Sequence, residues 1–461
     1  MAIEKFVGTE KTLAPPGWKK PPHVIAAIKK RKSSRAFCPT GEGGGVDNSC
    51  GSGSGSGAGA SSFSKWREKN SARLEQVRQS IEKQNSLAQG LLDDVSAKRA
   101  ALYEKEDALR EENNSIKAQL KDARPQLKKL LIDTATTEEE KKFWQDKDVS
   151  LIELSLEHEH LKGNKMRQIG VKHIGELKAR RENVIAQLQK MADAQQEQAD
   201  FANRIKRDAA KEAWAHVAAH AEEFATTVGD EGLSYSDEAY SEASGKFSTA
   251  VQGMAVYSAN AMKDSAKADF QSNTKGPGDE FLSTVMSPVS PAASAIRRGA
   301  EVFLSDQTSR AYASGTEVHL SPAASASTYV HEMGHVMETD PSVREAAVAF
   351  RDARCNPSAD RKMADVSPGS GYADSEVGNK DDFQKATKAV YGDSLLHDSE
   401  AYANYIGKAY KDSSGDVRAT EVVSMGMQMM HDNPAAFAKA DPEYFDFIVS
   451  IASGSHTRFK K

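Results

Sequence analysis

The chain has 461 residues, room for two or three domains and at least one substantial core, with 61 Lys+Arg against 66 Asp+Glu and a net charge of -5. That balance excludes a generally basic nucleic-acid binder, and three cysteines exclude a disulfide scaffold and fit a reducing compartment. No run approaches the ~18–20 apolar residues of a membrane span, and the opening MAIEKFVGTEKTLAPPGWKK has no apolar stretch of a secretory signal, so a soluble, cytoplasmic or virion-associated protein is expected.

Residues 1–62 read as a disordered tail. Pro15, Pro16, Pro21 and Pro22 interrupt any periodicity, and IKKRKSSR is a short cationic run. GSGSGSGAGASS, Gly51 to Ser62, cannot bury a core and is a flexible tether. Cys38 and Cys50 lie in the Gly-rich stretch between them, FCPTGEGGGVDNSC, and Gly43-Gly44-Gly45 lacks the lysine, serine and helix of a phosphate loop.

Residues 63–225 read as a long helical hairpin or coiled coil. Leu74, Ile81, Ala88, Val95, Leu102, Leu109 and Ile116 recur every seven residues. The companion column is weaker: Val77 and Leu91 are apolar, but Lys98, Lys105 and Glu112 are not. Pro125 is expected to end this helix. A second run begins near Leu151 and carries Ile174, Leu177, Val184, Leu188, Met191, Ala202 and Ile205 at heptad spacing. Such helices either fold back on each other or self-associate. His158, His160, His216 and His220 have no third ligand nearby and read as surface histidines.

From about Thr226 to Lys461 the chain has Gly and Pro punctuation, β-like runs at Val302–Leu304 and Thr316–Leu320, and shorter helices, the mark of a compact α+β domain. It is expected to be separable, with Phe201–Val228 either extending the hairpin or packing on the domain. The fold class is therefore mainly α, with a long helical middle segment and a small α+β C-terminal domain.

The chemistry gathers at His331-Glu332-Met333-Gly334-His335. With Ser327 or Thr328 as cap, TYVHEMGHVMET forms a helix that puts both histidines on one face, one turn apart, where they can hold a single Zn²⁺. Glu332 can take a proton from the water such a metal activates. A third histidine in the extended HExxHxxGxxH pattern is absent, so the third ligand comes from elsewhere. Glu421 is the choice, because Ser424 and Gly426 beside it permit close helix approach; Glu338 and Glu400 are rivals, Glu338 standing about 10 Å along the axis from His331. His397, Tyr402, Tyr405 and Tyr410 are candidate donors to a developing oxyanion. Glu317–Leu320 is a candidate sheet edge for pairing with a peptide. Cys355 reads as an ordinary thiol.

The stretch from about Val302 to Gly454 resembles a zincin-like metallopeptidase domain found in phage and prophage proteins. The resemblance rests on the HExGHxxE helix, Tyr405-Ile406-Gly407-Lys408-Ala409-Tyr410, ATEVVSMG and Asp441-Pro442-Glu443-Tyr444-Phe445-Asp446-Phe447. It implies a zinc-dependent peptidase of glutamate-zincin type, with Zn²⁺ on His331, His335 and Glu421, Glu332 as general base, and a peptide or protein substrate. FCPTGEGGGVDNSC is similar to a short element of phage head-associated proteins, which implies association with a virion. The competing expectation is a non-catalytic head-associated coiled-coil protein with a zinc-binding domain.

Overall fold

The computed structural model describes residues 58–146, 163–226, 235–258, 262–305, 310–366, 372–379, 383–392 and 405–460. Residues 1–57 of the expected tail, and His158, His160, His397, Glu400 and Tyr402, lie outside them; residues 58–62, expected to belong to the flexible tether, open a helix instead.

The described chain is mainly helical. α1 (Ala58–Lys69) leads into α2 (Ser71–Asp133), a short α3 (Glu138–Asp146) follows, and α4 (Lys165–Thr226) returns. α2 and α4 are antiparallel neighbours, as Arg73 pairs with Glu223 at 3.1 Å, Arg180 with Glu112 at 2.7 Å, and Gln195 bonds Glu106 at 2.7 Å. The heptad column makes the seam: Leu74, Ile81, Ala88, Val95 and Ile116 are buried, whereas Leu91 of the weak column faces solvent. Contrary to expectation, α2 continues through Pro125. Its flanking residues Leu120, Leu127 and Leu131 pack with Trp144, Val171 and Ile174, and that burial offsets the ~3 kcal/mol cost of a helical proline. At the same end buried Arg167 pairs with Glu140 at 2.5 Å and donates to the Thr134 hydroxyl at 2.6 Å.

Beyond the hairpin come α5 (Asp237–Gln252), β1 (Val256–Ser258), α6 (Asp264–Phe270), a π turn (Gln271–Lys275), α7 (Gly276–Val285) and α8 (Pro291–Arg297). Then follow β2 (Glu301–Leu304), β3 (Tyr312–Ser314), β4 (Glu317–Leu320), α9 (Ala326–Met337) and α10 (Pro341–Arg354). Next are β5 (Arg361–Lys362), α11 (Met363–Val366), β6 (Glu376–Gly378), α12 (Gln384–Tyr391), β7 (Ala409–Lys411) and β8 (Val417–Thr420). α13 (Val422–Asp432), α14 (Pro434–Ala440), α15 (Pro442–Ser453) and a 3₁₀ turn (Ser455–Lys460) close the described chain.

Two four-stranded sheets result, ordered β1-β2-β4-β3 and β5-β6-β7-β8. β1, β2 and β4 run parallel, and β3 pairs antiparallel with β4 through a turn at Gly315, whose φ of +63° suits glycine. β4 is therefore an inner strand; the edge expected at Glu317–Leu320 is β3 instead. Val302, Leu304, Val318 and Leu320 alternate into the core and support α9 from below.

The main core crosses residue 226. Phe63, Trp66, Leu74, Trp214, Val217 and Phe224 share it with Phe350, Phe445 and Phe447. Phe63 meets Phe350 and Phe447 edge-on at 5.5 and 5.7 Å, and the Trp214 indole N–H donates to the Met430 carbonyl at 3.1 Å. The C-terminal end of α4 thus packs on the α+β part. No helix among the described residues is long and apolar enough to cross a membrane.

Candidate metal centre

α9 starts at Ser325, whose hydroxyl accepts the Thr328 N–H at 3.1 Å; the expected cap Ser327 instead donates to Asp432 at 2.6 Å. The apolar face of the helix, Tyr329, Val330, Met333, Val336 and Met337, is buried. α9 lies so close to α13 that a Cβ on Gly334 would stand 2.4 Å from the Ser424 Cα. Ser424 thus serves the approach its small size suggested. Gly426 serves another, since a Cβ there would meet the Ile448 side chain on α15 at 2.3 Å.

This close approach brings Glu421, in the N-cap position of α13, to the two histidines. One carboxylate oxygen, Oε2, is 3.3 Å from the His331 Nε2 and 3.4 Å from the His335 Nε2. A metal-ligating atom of each residue lies within 4.8 Å of the others, and this is the one such group of His, Cys, Asp or Glu among the described residues. Glu338 is not part of it. Its carboxylate accepts the Thr420 N–H at 2.6 Å and the Thr420 hydroxyl at 2.7 Å, which fastens the end of α9 to the residue before Glu421. Burial raises the Glu338 carboxyl to about 7 against the pull of His335 and those two bonds.

The donors are oriented from behind. Ser327 spends its hydroxyl hydrogen on Asp432, so its oxygen accepts from the Gln428 amide nitrogen at 3.0 Å. That fixes which end of the amide faces His331: the Gln428 oxygen, 2.9 Å from Nδ1. The Gln428 oxygen thus receives the Nδ1 side of the His331 ring, which turns Nε2 towards Glu421 and His335, the orientation a metal requires. Glu421 is held by the Tyr410 hydroxyl at 2.8 Å, the Ser424 hydroxyl at 2.9 Å and the Lys408 ammonium at 2.9 Å. Lys408 is fully buried, also pairs with Glu376 at 3.0 Å, and stands 4.4 and 4.8 Å from the ring centres of Tyr410 and Tyr405.

The electrostatics follow from this crowding. Burial alone would raise the Glu421 carboxyl, but Lys408 and His335 outweigh it and hold it well below the usual carboxylate range. Burial opposes charge on His335, yet contact with Glu421 prevails and lifts the imidazole to about 9. Glu332 is pushed up by burial, against the pull of His331 and His335.

The group opens into a cavity of about 510 Å³ lined by His331, Glu332, His335, Glu421, Tyr405 and Tyr410, by Arg310, Arg344 and Arg418, and by β3 through Tyr312 and Ala313. Tyr405 faces His331 with ring centres 6.5 Å apart, and burial keeps its hydroxyl protonated. Of the four expected oxyanion donors, then, Tyr405 and Tyr410 reach the cavity, and Tyr410 is committed to Glu421. Sequence reading missed Gln428, Lys408, Arg310 and Arg344; lone polar residues in helices and loops carry no spacing signal. His216 and His220 lie on α4, half-buried and apart from the cavity lining.

Comparison with protein-family models, with curated proteins and with solved structures gives no match. The functional reading therefore rests on this geometry and on the sequence.

Proposed function

We propose that the chain is a zinc-dependent peptidase. His331, His335 and Glu421 would hold the ion, a set of two imidazoles and one carboxylate that suits Zn²⁺ and leaves a fourth position open to the cavity. Bound there, zinc would lower the pKa of a water towards ~7 and polarise a carbonyl. Glu332 follows His331 on the same helix and borders the same cavity, where it can accept a proton from water and return it to the leaving amine. Its carboxyl, pushed up by burial, is suited to carrying that proton between the two steps. The neutral Tyr405 hydroxyl is a donor for the oxygen that gains charge as the carbonyl becomes tetrahedral. β3, an edge strand bordering the cavity, offers backbone groups to an extended peptide.

The observation that carries this reading is the meeting of three donors from two distant segments, one imidazole oriented by Gln428, beside a buried carboxyl. The resemblance to phage zincin-like domains agrees with it and would associate the protein with a phage or prophage.

The test is zinc content and hydrolysis of casein or a proteome-derived peptide library by the full chain. About one zinc per chain is expected, lost in His331→Ala and His335→Ala; Glu332→Gln should keep zinc and lose hydrolysis. Full zinc in both histidine variants would refute the site. Zinc bound at His331 and His335 without any hydrolysis by the unaltered chain would favour the non-catalytic, head-associated alternative.

A further inference from the structure

The carboxylates around the cavity are each engaged. Glu338 accepts two bonds from Thr420, Glu376 pairs with Lys408, Glu421 sits among Lys408 and the imidazoles, and Glu332 is the base of the reading above. The arginines are not balanced in the same way. Arg418 is held by Asp412; Arg310 feels the charges of Glu376 and Glu332, but no ion pair joins it or Arg344 to a carboxylate among the described residues. Arg310 lies with its guanidinium carbon 5.4 Å from the Tyr372 ring centre, which leaves its N–H edge to be used elsewhere. Both line the cavity that contains the candidate metal ligands. A bound dication would add to the positive charge already there.

We infer that Arg310 and Arg344 form a carboxylate-binding subsite, so that the peptide cleaved presents a carboxylate beside the scissile bond. The inference rests on the peptidase reading and names its substrate class. The guanidinium fork matches a carboxylate with two parallel hydrogen bonds, and at the mouth of the cavity exposed Arg310 and half-buried Arg344 are accessible to a substrate. The carboxylate has two sources, an Asp or Glu side chain or the C-terminus of the peptide. An uncharged side chain in its place forfeits two charge-assisted hydrogen bonds that water replaces only in part, which is what makes the subsite selective.

The test uses the zinc-loaded full chain and peptide hydroxamates, which take the metal directly and report binding without turnover. Peptidyl and succinyl hydroxamates probe the two sides of the cleavage position. Each is compared as an Asp and an Asn form, and the succinyl series also as a free acid and a C-terminal amide. Binding is measured by titration calorimetry for the unaltered chain, Arg310→Gln and Arg344→Gln. Expected is at least about tenfold tighter binding of one carboxylate form, ~1.4 kcal/mol, with the preference lost in at least one arginine variant. A preference for the Asp form assigns the subsite to an acidic side chain; a preference for the free acid assigns it to the C-terminus. Zinc-dependent binding with no preference in the unaltered chain overturns the subsite and leaves the metal reading standing. So does a preference that survives in both variants. No zinc-dependent binding of any hydroxamate overturns the peptidase reading and the subsite with it.

Discussion

At the scale of single residues, the centre is a proton held where a metal would be. With no ion bound, the pair of His335 and Glu421 keeps the imidazole charged up to about pH 9. The imidazole must lose that proton to become a ligand, so between pH 6 and 8 zinc binding should release about one proton and its affinity should rise about tenfold per pH unit. Titration calorimetry in buffers of different ionisation enthalpy checks this; an affinity flat across that range would contradict it. The same logic gives Gln428 its weight. Gln428→Leu removes the acceptor that orients the His331 ring, and zinc affinity should fall roughly 10–100-fold while the melting temperature of the metal-free protein changes little. An unchanged zinc affinity in Gln428→Leu would remove the orienting role. Of these residues, His331, Glu332 and His335 were legible in the sequence because helical periodicity converts spacing into geometry. Glu421 lies 86 positions beyond His335, and only its small neighbours and the proposed resemblance to zincin-like domains pointed to it. Gln428 was illegible, since its role depends on two other side chains that the fold supplies.

At the scale of elements, the distance between α9 and α13 decides whether there is a site at all. Gly334→Ala drives a methyl group into the Ser424 backbone, which cannot rotate aside, so the helices must separate. The expected cost is about 1–3 kcal/mol of stability together with a clear loss of zinc affinity, because Glu421 moves with α13. Gly426→Ala is the informative comparison. Its methyl group meets chiefly the end of the Ile448 side chain, and behind it lies α15 rather than a ligand-bearing helix. It should lower the melting temperature and spare zinc binding by comparison. Equal loss of zinc in the two variants would mean that the α9–α13 spacing is not the controlling distance. The heptad column predicted the hairpin well because a repeated seam is a property of the sequence itself. Pro125 and β4 were misread because the deciding terms were tertiary: burial around Pro125, and the return of three residues as β3 on the open side of β4.

At the scale of the molecule, the hairpin is part of what holds the candidate centre. Trp214 stacks on His431 at 5.3 Å and bonds the carbonyl of Met430, gripping the end of α13. His431 is 2.7 Å from Asp432, and Asp432 anchors Ser327, which holds Gln428 and through it His331. On the other flank, buried Asp446 of α15 takes Arg67 at 2.7 Å and also Arg78. A fragment of residues 227–461 would lose all of this. It would bare the surfaces that cover Phe63, Trp66, Trp214, Val217 and Phe224. At ~1.5–3 kcal/mol for each large apolar side chain buried, the loss is comparable with the whole stability of a typical domain, about 5–15 kcal/mol. Residues 227–461 alone should therefore not melt cooperatively and should bind zinc weakly. Residues 58–461 should melt as one unit with full zinc occupancy, and adding separately produced 58–226 to 227–461 should restore part of it. Calorimetric melting and zinc stoichiometry of the three samples decide the matter. A cooperative melt with one tightly held zinc in 227–461 alone would show that the hairpin is an appendage, and that the shared core contributes packing without holding the centre together.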